Sequence, residues 1–157
     1  MFRPFQKHLI ISNFSKEETI EKLNSITYNK LLTGNKNVSK KFEGEIDNYG
    51  FTIYRIINYR NSFLPIIKGN FVSQNGNSTL IEMRIQMNIF ASIFMSIWFL
   101  ISGVIFLNFL YDQFGSKNFD FKSLVFIVGF IITGYLIMIL GFNYEAKKSK
   151  EILSQSL

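Results

Sequence analysis

The residues best placed to do chemistry are Arg55, Tyr59, Arg60 and Asn61, in the stretch RIINYRN. Two guanidiniums, a phenol and an amide this close together offer a dense set of hydrogen-bond donors, the kind of set that holds an anion such as a lipid headgroup. If the alternation that starts at Phe51 persists, Arg55, Tyr59 and Asn61 fall on the same face as Phe51, Ile53 and Ile57, with Tyr54 and Ile56 opposite. A charge on a largely buried face needs a partner or a ligand. The blander alternatives are that Arg55 snorkels to the rim of a sheet or that a bulge reverses the alternation. Asn61 and Ser62 are ordinary turn residues, so NYRNS is expected to form a tight turn between two strands. Pro65, which has no N–H to give to a ladder, belongs at an edge, a bulge or the start of a strand.

Other chemistry is poorly supplied. His8 is the single histidine, placed with Gln6 and Ile10 on an expected strand, and nothing at catalytic spacing accompanies it. With no cysteine and no second histidine, a transition-metal site lacks ligands. Gly44, Gly50, Gly69 and Gly76 stand alone and match no phosphate-binding loop. No catalytic residue, metal or cofactor is therefore assigned, and the chain is expected not to be an enzyme. Lipid chemistry on Arg55, Tyr59 and Arg60 is a distant alternative.

The elements that must position these residues are dominated by two apolar runs. No charged residue occurs from Ile85 to Tyr111 or from Ser123 to Tyr144. Each run exceeds the roughly 20 residues that cross a bilayer core of about 30 Å. The first run holds 14 Leu, Ile, Phe or Val residues between Ile89 and Leu110. At about −0.3 to −0.6 kcal/mol each, they favour insertion by roughly 4 to 8 kcal/mol. A membrane hairpin is expected over 89–144, with helices at about 89–111 and 123–144. No Asp, Glu, Lys, Arg or His lies inside either run, which argues against a proton relay, voltage sensor or single-chain transporter.

Charge sets the orientation. Residues 1–88 carry 12 Lys and Arg, the connector Asp112–Lys122 carries 2, and the tail adds Lys147, Lys148 and Lys150. The connector is the segment most easily translocated, so both termini are expected on the cytoplasmic side of an inner membrane. The amino terminus shows no cleavable signal and is expected to be retained. The same retention explains the net charge of +6. The basic residues are scattered rather than gathered into a nucleic-acid face, so nucleic acid is not an expected partner.

The first 88 residues read as an α+β cytoplasmic domain. FQKHLIIS is an expected strand, and Ser15 with Glu18 forms a capping box at the start of a helix whose apolar face is Ile20 and Leu23. From Tyr28 to Ser39 a helical turn gives way to a loop, after which period two takes over. DNYG reads as a turn with Gly50 where positive φ is easiest, and QNGN as a hairpin turn centred on Asn75 and Gly76. The cleanest alternation sets Thr79, Ile81, Met83, Ile85 and Met87 against Leu80, Glu82, Arg84, Gln86 and Asn88. The sum is an α+β membrane protein: a five-stranded, largely antiparallel sheet with one N-terminal helix, a transmembrane helical hairpin, and a short amphipathic C-terminal helix over 145–157. One short helix covers only part of a sheet face. The remainder is expected to meet the loop after Tyr28, the membrane ends, the tail, or another subunit.

Small residues in the runs allow close approach of helices: Ser92 and Ser96 with Gly103 on one, Gly134 and Gly141 on the other. They suit packing of the hairpin against itself or, less favourably, a seam between copies. The order of elements, with YRNSFLPIIKGNF and a strand running into a two-helix hairpin, resembles small bacterial membrane proteins of unknown function. It is also loosely similar to helix-grip, START-like lipid-binding domains, although a hairpin stands where that pattern has its later strands. These resemblances imply architecture only. The expected function is non-enzymatic binding of a protein partner or a lipid-like ligand beside the lipid bilayer. The alternative is a structural or assembly subunit that oligomerises through its helices, as a membrane-perturbing effector for example.

Overall fold

A computed structural model describes residues 5–29, 40–75, 78–114, 116 and 118–157. The chain forms β1 (Phe5–Ser12), α1 (Lys16–Ile26), β2 (Thr27–Tyr28), β3 (Phe42–Ile46), β4 (Gly50–Arg55), β5 (Pro65–Asn75), β6 (Ser78–Met87), α2 (Ile89–Gln113) and α3 (Phe121–Ser154). The strands make one mixed sheet in the order β1-β6-β5-β4-β3-β2.

The sheet has six strands where five were expected. The extra strand is β2, a two-residue piece running parallel to β3, with Thr27 opposite Phe42 and Tyr28 opposite Glu43. Tyr28 was expected to open a helical turn. The β-branched Thr27 follows directly on the last helical residue, Ile26, and is itself extended (φ −111, ψ 134), so the chain leaves α1 straight into the ladder. All other pairings are antiparallel. The loop expected after Tyr28 lies mostly outside the described residues, as do residues 76–77 of the expected QNGN turn.

Local rules account for most boundaries. Ser15 accepts from the Glu18 backbone while the Glu18 carboxylate accepts from the Ser15 N–H at 2.9 Å, completing the capping box. Asp47 Oδ1 takes the N–H groups of Tyr49 and Gly50 at 2.7 and 2.8 Å, closing the β3–β4 turn. The positive φ lies at Gly44 (φ 153) rather than at Gly50, among the described residues. The β4 strand ends at Arg55, and a longer connection over residues 56–64 replaces the tight NYRNS turn. Within it Asn61 Oδ1 accepts from Phe63 N at 2.9 Å, and Leu64 N donates to Asn61 O at 3.2 Å. Pro65 opens β5 opposite Met87, a place where its missing N–H does least harm.

One face of the sheet carries the core. Phe42, Phe51, Ile53, Ile67, Ile81, Met83 and Ile85 cluster with Leu23 of α1 and with Phe142, Ala146 and Leu153 of α3. The expected β6 alternation is seen residue by residue, from Thr79 to Met87. The opposite face shows Lys7, Leu9, Ile11, Thr52, Lys68 and Asn70, all exposed.

The C-terminal segment is not a separate short helix. It continues α3, which runs for 34 residues, or about 51 Å at 1.5 Å per residue. Nothing interrupts it: no proline or glycine follows Gly141, and Glu145, Ala146 and Lys147 are good helix formers. Gly134, Met138, Phe142, Ala146, Ser149 and Leu153 form one buried stripe with steps of three or four, with Glu145 beside it, so a single helical face packs first on α2 and then on the sheet. The helix begins two residues before the expected position because Asp120 caps it, accepting from Ser123 N at 3.2 Å and Ser123 Oγ at 2.6 Å. Both α2 and α3 are long and apolar enough to cross a membrane, and only 17% of the most apolar window of each is buried. A core helix of a soluble fold would hide most of that surface.

Candidate functional site

The connection 56–64 lies where the sheet, the start of α2 and the middle of α3 meet. Arg55 precedes it on β4 with its side chain on the core face, 7% exposed. Burial there demands a counter-charge, and Glu145 of α3, fully buried, supplies it. Arg55 Nε donates to Glu145 Oε2 at 3.1 Å, and the Nη2 group donates to the same oxygen. The Nη2 group also donates to the Tyr59 hydroxyl at 2.6 Å, which in turn donates to Glu145 Oε1. The bond to Glu145, with burial next, raises the phenol's pKa above its usual value. With both carboxylate oxygens engaged by a cation and a phenol, Glu145 is a joint between helix and sheet rather than a free base.

Arg55 and Tyr59 are thus brought together, by the connection after β4 rather than by a continued alternation, and around an internal carboxylate. The sequence offers Glu145 only as the first residue of an amphipathic tail and does not single it out as the partner of Arg55. The signal available was the stripe from Gly134 to Leu153, whose phase puts Glu145 in line with Phe142 and Ser149.

Arg60 and Asn61 go elsewhere. They line an open hollow of about 470 Å³ with Tyr59, Ile137, Gly141 and Tyr144. Asn61 Nδ2 reaches the Gly141 carbonyl at 3.4 Å. Arg60 is exposed and forms no ion pair among the described residues. Lys148, one turn beyond Tyr144, lies over its ring at 6.0 Å. A second hollow of about 600 Å³ opens between Ser62, Phe63, Asn88, Phe90 and Ile137. A third, about 190 Å³ and wholly apolar, runs between α2 and α3 past Phe94, Trp98, Phe130 and Ile137. Phe63 and Ile137 line all three, so the hollows lie side by side, in a row from Arg60 to Trp98 here termed the groove.

The expected helix-packing residues divide. Gly134 sits under the indole, where a Cβ would come within 2.5 Å of Trp98 Nε1, and Trp98 stacks on Phe130 at 4.4 Å. Gly141 faces Phe63, not α2; a Cβ there would meet that ring at 3.1 Å. Ser92 is half-buried, Ser96 is exposed and bonds back to the Ser92 carbonyl at 2.9 Å, and nothing lies within 4 Å of a Cβ built on Gly103. The buried positions on α2 are Ala91, Met95 and Ser102.

His8 belongs to a different contact. Its Nδ1 is 3.2 Å from Lys150 Nζ and its Nε2 is 3.3 Å from Gln6 Oε1, while Gln6 Nε2 donates to Asn143 Oδ1 at 3.1 Å. The row fastens β1 to α3. Burial, and then the Lys150 charge, lowers the histidine pKa below 6.5. Among the described residues no group of three His, Cys, Asp or Glu side chains is placed to hold a metal. No protein-family model matches this chain, and no curated protein or solved structure is significantly similar to it.

Proposed function

We propose that this chain is an integral membrane protein whose α2–α3 hairpin spans an inner membrane, with both termini cytoplasmic. In this proposal its α+β portion is a non-enzymatic module that binds a lipid-like ligand at the bilayer surface. The observation that carries the binding role is the row of three hollows that share Phe63 and Ile137 as lining. It is apolar along the helices and polar beside the sheet, which is the profile of a molecule with a chain and a head. The outward apolar surface of both helices supports insertion.

Ile137 is 57% exposed, so Ile137→Trp fills the groove without overpacking a core. Lipid retained by the purified full chain, read by native mass spectrometry, is expected to fall several-fold in this variant. Unchanged retention sinks the proposal. A reporter fused after Leu157 tests orientation: a periplasmic signal is incompatible with it.

A second reading, assembly through the helices, is favoured by Gly103, whose outer side is open. Small residues there let another helix approach closely. A monomeric mass in nanodiscs at all protein-to-lipid ratios removes it.

A further inference from the structure

We infer that the groove takes a phosphate-bearing glycerolipid, with the phosphate on Arg60 and one acyl chain running to Trp98 and Phe130. The inference rests on the groove being the ligand site of the proposed function.

The charge that can meet an anion is Arg60, not Arg55. Arg55 is closed off by Glu145 and Tyr59, and reaching it would break a buried pair. Arg60 lies open at the polar end of the groove. The one carboxylate lining that hollow, Glu145, is already neutralised by Arg55. Lys148 adds a second cation beside Tyr144. A guanidinium matches a phosphate with two parallel donors, which an ammonium does not.

Depth points the same way. The polar hollow reaches Tyr144, the last residue of α3's uncharged run, and the hollow beside it reaches Asn88, the cap of α2. Both mark the level at which the helices leave a bilayer. Trp98 lies ten residues beyond Asn88, about 15 Å at 1.5 Å per residue. That is one half of a hydrocarbon core of about 30 Å. The groove therefore has the length of one leaflet, with a cation at the headgroup level and aromatic rings at the chain's end.

The test uses the full chain in detergent, titrated with phosphatidylglycerol or with diacylglycerol of the same acyl chains, and read by native mass spectrometry. The wild type is expected to prefer the phosphatidylglycerol by roughly tenfold, as expected for a charge-assisted hydrogen-bonded contact. Arg60→Gln should abolish the preference while diacylglycerol retention and melting temperature stay unchanged, and Arg60→Lys should restore part of it. If Arg60→Gln keeps the preference, the phosphate assignment fails while the groove stands. If Ile137→Trp retains both lipids as well as the wild type, the groove itself fails. Displacement of phosphatidylglycerol by millimolar inorganic phosphate would make this a small-anion site and overturn the lipid assignment. No displacement supports it.

Discussion

Arg55 on β4 and Glu145 on α3 are 90 positions apart and form one buried ion pair, with Tyr59 bridging guanidinium and carboxylate. The only other ion pair among the described residues, Arg84 with Glu82, is local to β6 and partly exposed. The buried pair thus joins the sheet to the helix that continues into the hairpin. Any tilt of α3 against the sheet must break it or carry the sheet along.

Breaking this pair from one side strands a buried charge. Glu145→Gln is expected to cost about 3–5 kcal/mol, because Arg55 is left without its counter-charge. Arg55→Met with Glu145→Leu should recover most of that loss, since apolar replacements of a buried pair are often neutral or better. Thermal unfolding in detergent gives both numbers. A double variant as unstable as the sum of Arg55→Met and Glu145→Leu made singly would mean that the pair is not an isolated unit.

Periodicity made the sheet's core face legible. Thr79 to Met87 alternate as strictly in space as in sequence, and Ser15 with Glu18 fixes where α1 begins. What escaped was long-range. Two residues, Thr27 and Tyr28, carry too little pattern to announce a strand, and their partners, Phe42 and Glu43, are far along the chain. The tail read as a short amphipathic helix of its own. Its buried stripe becomes visible only when counted from Gly134 rather than from Glu145. At the site, a buried Arg55 was legible as needing a partner, but its identity depended on where α3 crosses the sheet. The groove has no sequence signature, because Phe63, Phe94, Trp98 and Ile137 are unremarkable in an apolar run.

Gly134 and Gly103 should behave oppositely. A side chain at Gly134 meets Trp98, whereas one at Gly103 meets nothing. Gly134→Leu is expected to push α2 and α3 apart, costing about 1–3 kcal/mol for overpacking. Gly103→Leu should be neutral or slightly stabilising for the single chain, since glycine costs about 1 kcal/mol in a helix interior. Trp98 is the chain's one tryptophan, so its emission reports the seam directly. Equal spectral shifts in the two variants would refute the packing described.

Leu153, fully buried near the end of α3, tests whether the last turns of that helix are part of the core. Leu153→Ala is expected to cost about 2–5 kcal/mol, the usual range for a buried leucine. Leu140→Ala, on an exposed face of the same helix, should leave packing against the sheet intact. Hydrogen exchange across β1 and β6 separates them, and equal protection in both variants would detach the C-terminal turns from the core.

The row Lys150–His8–Gln6–Asn143 predicts a pH dependence with a definite sign. An ammonium can only donate, so His8 Nδ1 must accept from Lys150, leaving Nε2–H to donate to Gln6 Oε1. Gln6 then donates from Nε2 to Asn143 Oδ1. This arrangement requires a neutral imidazole; protonation would set an N–H against the Lys150 ammonium. Accordingly the folded pKa lies below the unfolded value of 6.5, from burial first and the Lys150 charge second. A group whose folded pKa is lowered in this way, by disfavouring its cation, contributes stability above the unfolded pKa and loses it as pH falls. The β1–α3 contact should therefore be fully formed above about pH 6.5 and weaken progressively as pH drops below that value. The melting temperature of the wild type, relative to His8→Asn, is expected to fall between pH 7 and pH 5.5. Because His8 is the single histidine, its imidazole resonance can be titrated without assignment. Lys150→Met should move the midpoint upward toward 6.5, and a wild-type midpoint already at or above 6.5 would show that the lysine does not face the ring.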